Sequence, residues 1–352
     1  MIRNSCKLCS NKMKTFQYNT VDLFKLFAAV LIVFRHTYNG DWAFWGDWIK
    51  QVLTTACVPF FFLCSGFFLR KGIEQRLQSG GEVAESQWFR QYIWRLAKMY
   101  IAWSALTFPV AVMLVNRGHP EYGIGMKLLY HIRLFFLTGS IGVYWYLLAL
   151  IICAIGIRWC YKRNLLRPLV PVSLLLFLLG CAYDSPLNQN QLPFQMLHII
   201  FGSERNFLTV GLFYVLLGFI WDSVSPFQRR VCRKGTVAAL FFCFILLRTG
   251  EVFILRSNYT QALVAISAFL LATTHCGSTT SSFYMAARHL SIGLYLIHFP
   301  FVLLFDFYLR KGTIIDFPVT LLFSVIVYYL LTYLPPKVSK TLLGHHVLRQ
   351  AV

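Results

Sequence analysis

Ten stretches of this 352-residue chain are apolar over a length that would cross a bilayer. A hydrocarbon core about 30 Å thick takes about 20 apolar helical residues to span. On that rule the spans read 20–38, 51–69, 93–115, 141–160, 166–183, 206–222, 235–256, 259–276, 289–309 and 313–334. The stretch 124–140 is only partly apolar and reads as a half-helix or an interfacial one. In lipid every backbone N–H and C=O must pair within the protein, so runs of this length predict helices. The expected fold is all-α: a polytopic membrane bundle of about ten transmembrane helices. It divides into an N-terminal tail (1–19), a membrane domain (20–334) and a C-terminal tail (335–352).

Composition supports this. Charged residues are 13% of the chain, against about 25% in a soluble domain. So little charge cannot cover a water-facing surface. The 33 lysines and arginines lie mostly in short gaps between apolar runs. One set of tails and loops holds 22 of them, the alternate set holds 8, and Lys25, Arg35 and Arg248 fall inside spans. The basic side of a membrane protein faces the cytoplasm, so both termini are expected inside. The distribution suits the anionic headgroups of membrane lipids. It does not suit nucleic acid, which needs the charge gathered on one soluble face.

Most of the ten cysteines lie in apolar runs, where a free thiol behaves as a small hydrophobe. Cys6 and Cys9 make a lone C-x-x-C with no second pair or nearby histidine, so no metal site is expected. Met13 is an alternative start that would remove this pair. The first apolar run has no small-residue cleavage site after it and is expected to remain as a span.

That first run, "VDLFKLFAAVLIVFRHTYNG", carries ionisable groups that lipid would penalise. Lys25 and His36 are eleven residues apart, which at 100° per residue leaves them about 20° off one face and about 16 Å apart along the axis. Asp22 is expected to neutralise Lys25 at i, i+3. Arg35 points about 100° away from His36 and reads as an interfacial anchor. A second polar stripe, Ser291, Tyr295 and His298, is spaced i, i+4, i+7 in "HLSIGLYLIHFP". Packing glue between helices explains Ser291; for His298 that reading stands beside a functional one. Ser65 and Gly66 are small enough to let another helix approach closely. Arg205 and Asn206, at the start of the sixth span, offer a contact for phosphate or sugar hydroxyls, or an ordinary helix cap. Arg248 and Glu251 read as a structural pair at i, i+3. Trp42, Trp45 and Trp48 read as an aromatic belt rather than a sugar platform.

Several stretches, in this order and spacing, resemble one family: "VDLFKLFAAVLIVFRHT", "VPFFFLCSGFFLRK", "VYWYLLALII", "RNFLTVGLFYVLLGF" and "SIGLYLIHFPFVLL". The chain is similar to the acyltransferase 3 family of integral membrane acyltransferases from Asp22 to about residue 334. The family motif in the first span is arginine, ten residues, histidine. Here it reads Lys25, ten residues, His36, which keeps the charge and loses the guanidinium fork. The resemblance implies that His36 is catalytic and that arginines between the second and third spans face acyl-CoA; Arg90 and Arg95 lie there. Lys25 joins them as a contact for the donor. It further implies transfer of an acyl group, most simply acetyl from acetyl-CoA, to a hydroxyl of a cell-surface or lipid-linked glycan. The expected location is the bacterial cytoplasmic membrane. Asp22, Arg205, Asn206, Tyr295 and His298 are the expected supporting or acceptor-binding residues. Few residues follow the last span, so a stand-alone membrane module is expected. A transporter or flippase of lipid-linked sugars, and a sensory module without turnover, remain as alternatives.

Overall fold

The computed structural model describes residues 18–38, 40, 43–183, 195, 206–221, 234–255, 258–274, 281–308 and 315–344. All regular structure among them is helical. Helices α1 (Asn19–Thr37), α2 (Ala43–Trp48), α3 (Cys57–Leu106), α4 (Phe108–Gly118), α5 (Ile124–Arg133), α6 (Trp145–Lys162) and α7 (Leu166–Tyr183) come first. They are followed by α8 (Leu212–Phe219), α9 (Lys234–Gly250), α10 (Gln261–Thr273), α11 (Ser282–Tyr308), α12 (Asp316–Thr332) and α13 (Pro336–Leu343). Wider π-turns precede α8 at Phe207–Gly211 and extend α9 through Glu251–Leu255.

Length and composition fit a membrane crossing within the stretch 44–106, which is broken at Gly80 and Gly81, and for α6, α7, 235–254 (α9 with its π-turn extension) and 282–305 of α11. The apolar segments 207–219, 261–273 and 316–332 are shorter. Helix α1 is long enough but carries Asp22, Lys25 and Arg35. Among the described residues, five helices are thus long and apolar enough to cross a membrane and three apolar ones are shorter, α10 being about 20 Å long, so element length does not establish the expected ten full spans.

The second and third expected spans belong to two helical limbs of α3 that meet at non-helical residues Gly80 and Gly81. Gly81 has φ +66°, a value an L side chain resists. The limbs on either side double back, so that Trp88 packs against Gly72. The third expected span, 93–115, is interrupted at Thr107, where Pro109 opens α4.

Helix α1 sits at the centre, packed chiefly on α11 and also on α3, α10 and α12. The first limb of α3 packs closely on α8. A Cβ at Gly66 would lie 2.0 Å from the Val215 carbonyl oxygen, and one at Gly218 would lie 2.1 Å from that of Leu63. The two backbones touch because neither has a side chain there, as the small pair Ser65–Gly66 predicts. Leucines and phenylalanines on α7 and α9, such as Leu175, Leu178, Phe242 and Leu246, face outward. An outer surface this apolar belongs against lipid rather than water.

Residues of the expected C-terminal tail form α13, which docks on α3. Trp103 donates its indole N–H to the Leu342 carbonyl at 2.8 Å, and the Leu343 side chain is fully buried.

Candidate active site

Proline in the sequence "HFP" shapes the centre of α11. Pro300 has no N–H, so the Leu296 carbonyl one turn earlier loses its helical donor. The Tyr144 hydroxyl donates to that carbonyl instead, at 3.3 Å. The preceding loop is tight: Gly139 has φ +87°, and a Cβ there would meet the Trp145 backbone nitrogen at 2.4 Å. Residues Thr138 to Val143 thereby line a cavity of about 400 Å³.

His36, near the C-terminal end of α1, lines this cavity with Arg35, Arg133, Tyr130, Gln261 and Tyr295. Thr54 and Thr55, from the turn before α3, complete its polar lining on that side. The volume falls in the range of small-molecule sites. The His36 ring lies 5.4 Å from the ring of His298 (centroid to centroid, planes tilted by 36°) and 5.2 Å from that of Phe299.

His298 is fully buried. Its Nδ1 lies 2.9 Å from the Leu294 carbonyl oxygen, so that nitrogen is the protonated donor and Nε2 carries the lone pair. No described residue hydrogen-bonds Nε2. From His298 a seam of polar rings continues to Tyr295 at 6.3 Å and on to Tyr146 at 5.4 Å. The Tyr146 hydroxyl meets Ser65 Oγ at 2.9 Å. The Tyr295 hydroxyl donates to the Val143 carbonyl.

Other expected site residues lie elsewhere. Asp22 is not the partner of Lys25: both its oxygens accept from Arg288, at 2.9 Å from Nε and 2.7 Å from Nη2. The planar fork reaches a carboxylate in two bonds where an ammonium offers a single point charge. Lys25 Nζ instead lies 4.7 Å from the centre of the Phe68 ring, and Lys25 is not among the residues lining the His36 cavity. Arg90 and Arg95 are exposed on the second limb of α3 and do not line it either. Arg90 edges a shallow apolar groove with Trp94 and Ile155, and Arg95 lies over Tyr92. Asn206 is a helix cap: its side-chain oxygen accepts from Leu208 N at 2.9 Å and Thr209 N at 3.1 Å. Arg205, Trp42, Cys6 and Cys9 lie outside the described residues.

Arg35 also lines the cavity. Its Nη1 donates to the Lys50 carbonyl at 3.1 Å and to Thr54 Oγ1 at 3.0 Å, which holds it in the cavity wall. Trp45 is largely exposed, and Trp48 donates to Thr249 Oγ1 at 2.9 Å; neither lines the cavity. Ser291 is fully buried and donates to the Arg288 carbonyl of its own helix at 2.8 Å, not to a neighbouring helix. Sequence reasoning missed Arg133, Tyr130 and Gln261. The i, i+3 spacing of Tyr130 and Arg133 was the available signal, on a stretch read only as partly apolar. Among the described residues no group of three or more histidines, cysteines or acids is placed to hold a metal ion.

Residues 18–333 match the acyltransferase 3 family model, described as an acyltransferase domain. The chain belongs to the acyltransferase 3 family. The match begins just before α1 and ends just after α12, so α13 lies beyond it. Family and apolar helices together make this an integral membrane protein of a transferase family. The chain is also 26% identical over 241 residues to an "Amino-acid racemase" of Enterococcus faecalis. That alignment covers 66% of this chain and 33% of the relative, so the chain spans only about a third of it. No solved structure matches the chain.

Proposed function

We propose that the protein transfers an acyl group, most simply acetyl, from acyl-CoA to a hydroxyl of a glycan, with His36 as general base. The observation that carries this reading is the place of His36, an imidazole on the wall of a cavity of about 400 Å³ beside a second, buried imidazole. As the acceptor oxygen attacks the thioester carbonyl carbon, His36 takes its proton. The C–S bond then breaks, the sulfur leaves as thiolate, and the imidazolium returns the proton to give CoA–SH. Such proton transfer contributes about 10²–10⁴-fold; positioning in the cavity supplies the rest of the acceleration.

In this reading the donor comes from the basic, cytoplasmic side, where Lys25, Arg90 and Arg95 meet its phosphates, and the acceptor enters from the far end of α1. The seam from Ser65 through Tyr146, Tyr295 and His298 to His36 supports a polar path along the helices. The test is release of free thiol from acetyl-CoA by the detergent-purified protein, with and without a glycan acceptor. Glycan-dependent release that His36→Ala abolishes, in a variant that still inserts and purifies, is the expected result. Release that survives in His36→Ala removes the histidine from the mechanism, and no release from any acyl-CoA removes the transferase reading.

A further inference from the structure

The turn between α4 and α5 reads "HPEY", from His119 to Tyr122. Proline at the second position presets φ for a tight turn, and Tyr122 N donates to the His119 carbonyl at 3.2 Å. The closed turn lays its two end rings face to face. His119 stacks on Tyr122 with centroids 4.5 Å apart and planes 4° from parallel. Tyr130, from α5, meets His119 edge-on at 4.8 Å and lies 6.2 Å from Tyr122. The three rings form one cluster. Tyr130, its inner member, lines the cavity that holds His36. The outer members reach the surface: the His119 side chain is 31% exposed, and Tyr122 is half-buried. Glu121 stands at the edge, 61% exposed, with a carboxylate oxygen 3.4 Å from His119 Nδ1.

Aromatic side chains at a membrane surface commonly form a belt at the headgroups. These rings instead close on one another beside an exposed carboxylate, a poor neighbour for anionic lipid, and one of them opens on the cavity. Such a cluster suits a sugar. A pyranose turns C–H groups toward the negative face of an aromatic ring, and its hydroxyls donate to a carboxylate. A nucleotide base would also stack, but its phosphates would meet the Glu121 charge. The cavity itself, about 400 Å³, is near the lower end of ligand pockets and has room for a short sugar, not a polymer. We infer that His119, Tyr122, Tyr130 and Glu121 form a second sugar subsite leading out of the cavity, so that the acceptor is an extended glycan. One end lies in the cavity facing His36, and the following units lie on the rings. The word "acceptor" rests on the acyl-transfer reading above; the glycan-binding subsite does not.

Binding to the detergent-purified full chain, without acyl-CoA, tests this. The probes are two neutral series, cellulose-derived and chitin-derived oligosaccharides, each as dimer, tetramer and hexamer. We expect affinity in at least one series to rise about tenfold from dimer to hexamer, the gain from adding a stacked subsite. Tyr122→Ala should remove that gain. Tyr122→Phe should keep it, since the ring and not the hydroxyl forms the platform. Glu121→Ala, a change at an exposed side chain that the fold does not need, should weaken hexamer binding about threefold. Affinity that does not depend on length overturns the inference, as does absence of binding in both series. A length dependence that survives in both Tyr122→Ala and Glu121→Ala overturns it too, and returns the rings to an aromatic belt. So does displacement of the hexamer by CoA with equal loss of CoA binding in Tyr122→Ala, which would give the platform to the donor. None of these outcomes depends on thiol release, so failure of the inference and failure of the transferase reading are told apart.

Discussion

His298 is a side chain whose surroundings cost more than packing requires. It is fully buried, its Nδ1 is held by Leu294, and its Nε2 has no hydrogen bond among the described residues. A buried polar atom left unpaired costs about 1–3 kcal/mol. Phenylalanine would fill the same space without that cost, although it gives up the bond to Leu294. His298→Phe is therefore expected to change the melting temperature in detergent by only a few degrees in either direction while lowering acyl transfer by about 10²-fold or more. A variant that keeps full transfer would make His298 a packing residue. The spacing of Tyr295 and His298 made this stripe visible in the sequence, because helical periodicity is a local rule. The direction of Arg35 was not visible. It depends on the carbonyl of Lys50, which the intervening turn brings to it. The role of Asn206 was open for the same reason, since its side chain serves as a cap only once the helix starts at Phe207.

Helices meet where the sequence is small and where opposite charges pair between them. Gly66 and Gly218 fill reciprocal positions on α3 and α8, each facing the other helix's backbone. A methyl group at either must push two backbones apart, and overpacking of this kind costs about 1–3 kcal/mol. Gly66→Ala and Gly218→Ala should each lower thermal stability in detergent, and the double variant should lose less than the sum because both act at one contact. Additive losses would mean that the helices do not touch there. Just after the break in α3, Glu85 is buried and ties the second limb to α6. Arg158 donates to it at 2.6 and 2.8 Å and to Ser86 at 3.0 Å, and Lys162 lies at 3.2 Å. Burial raises the Glu85 carboxyl, but hydrogen bonds and charges from Arg158 and Lys162 outweigh it and hold it below the usual carboxylate range of 4.5. A depressed carboxyl stabilises the fold above its unfolded value and loses that stability as pH falls through the folded one. Glu85→Gln should therefore cost about 2 kcal/mol at neutral pH. Its gap from the parent should narrow as pH is lowered below about 4.5. A gap independent of pH would show that the carboxylate's charge contributes nothing. The tight turn at Gly80 and Gly81 was not legible as such: hydropathy marks where lipid is, and this turn lies between two apolar limbs.

Across the whole molecule, the two helices that bring His36 and His298 together are 266 residues apart at the tie that joins them, Asp22 to Arg288. That the chain folds into apolar helices could be read from the sequence because each one satisfies its own backbone. Which helices become neighbours could not, because that is decided by pairs distant in sequence. Asp22 looked like the partner of Lys25, one turn away, and only the fold supplied a better one. The two ends of this tie differ: Asp22 is 1% exposed, whereas the Arg288 side chain is 40% exposed. Removing Arg288 leaves a carboxylate stranded in the interior, a loss of about 3–5 kcal/mol. Removing the charge of Asp22 leaves a guanidinium that can turn to water, so the loss is smaller, about 1–2 kcal/mol. Arg288→Gln should thus melt well below Asp22→Asn, and combining the two should recover part of the difference, since the stranded charge is then gone. Both single variants should also slow transfer if this tie sets the approach of α11 to α1 and with it the spacing of the two imidazoles. Equal melting temperatures for the single variants, or a double variant less stable than Arg288→Gln alone, would show that the pair does not join the helices in the membrane.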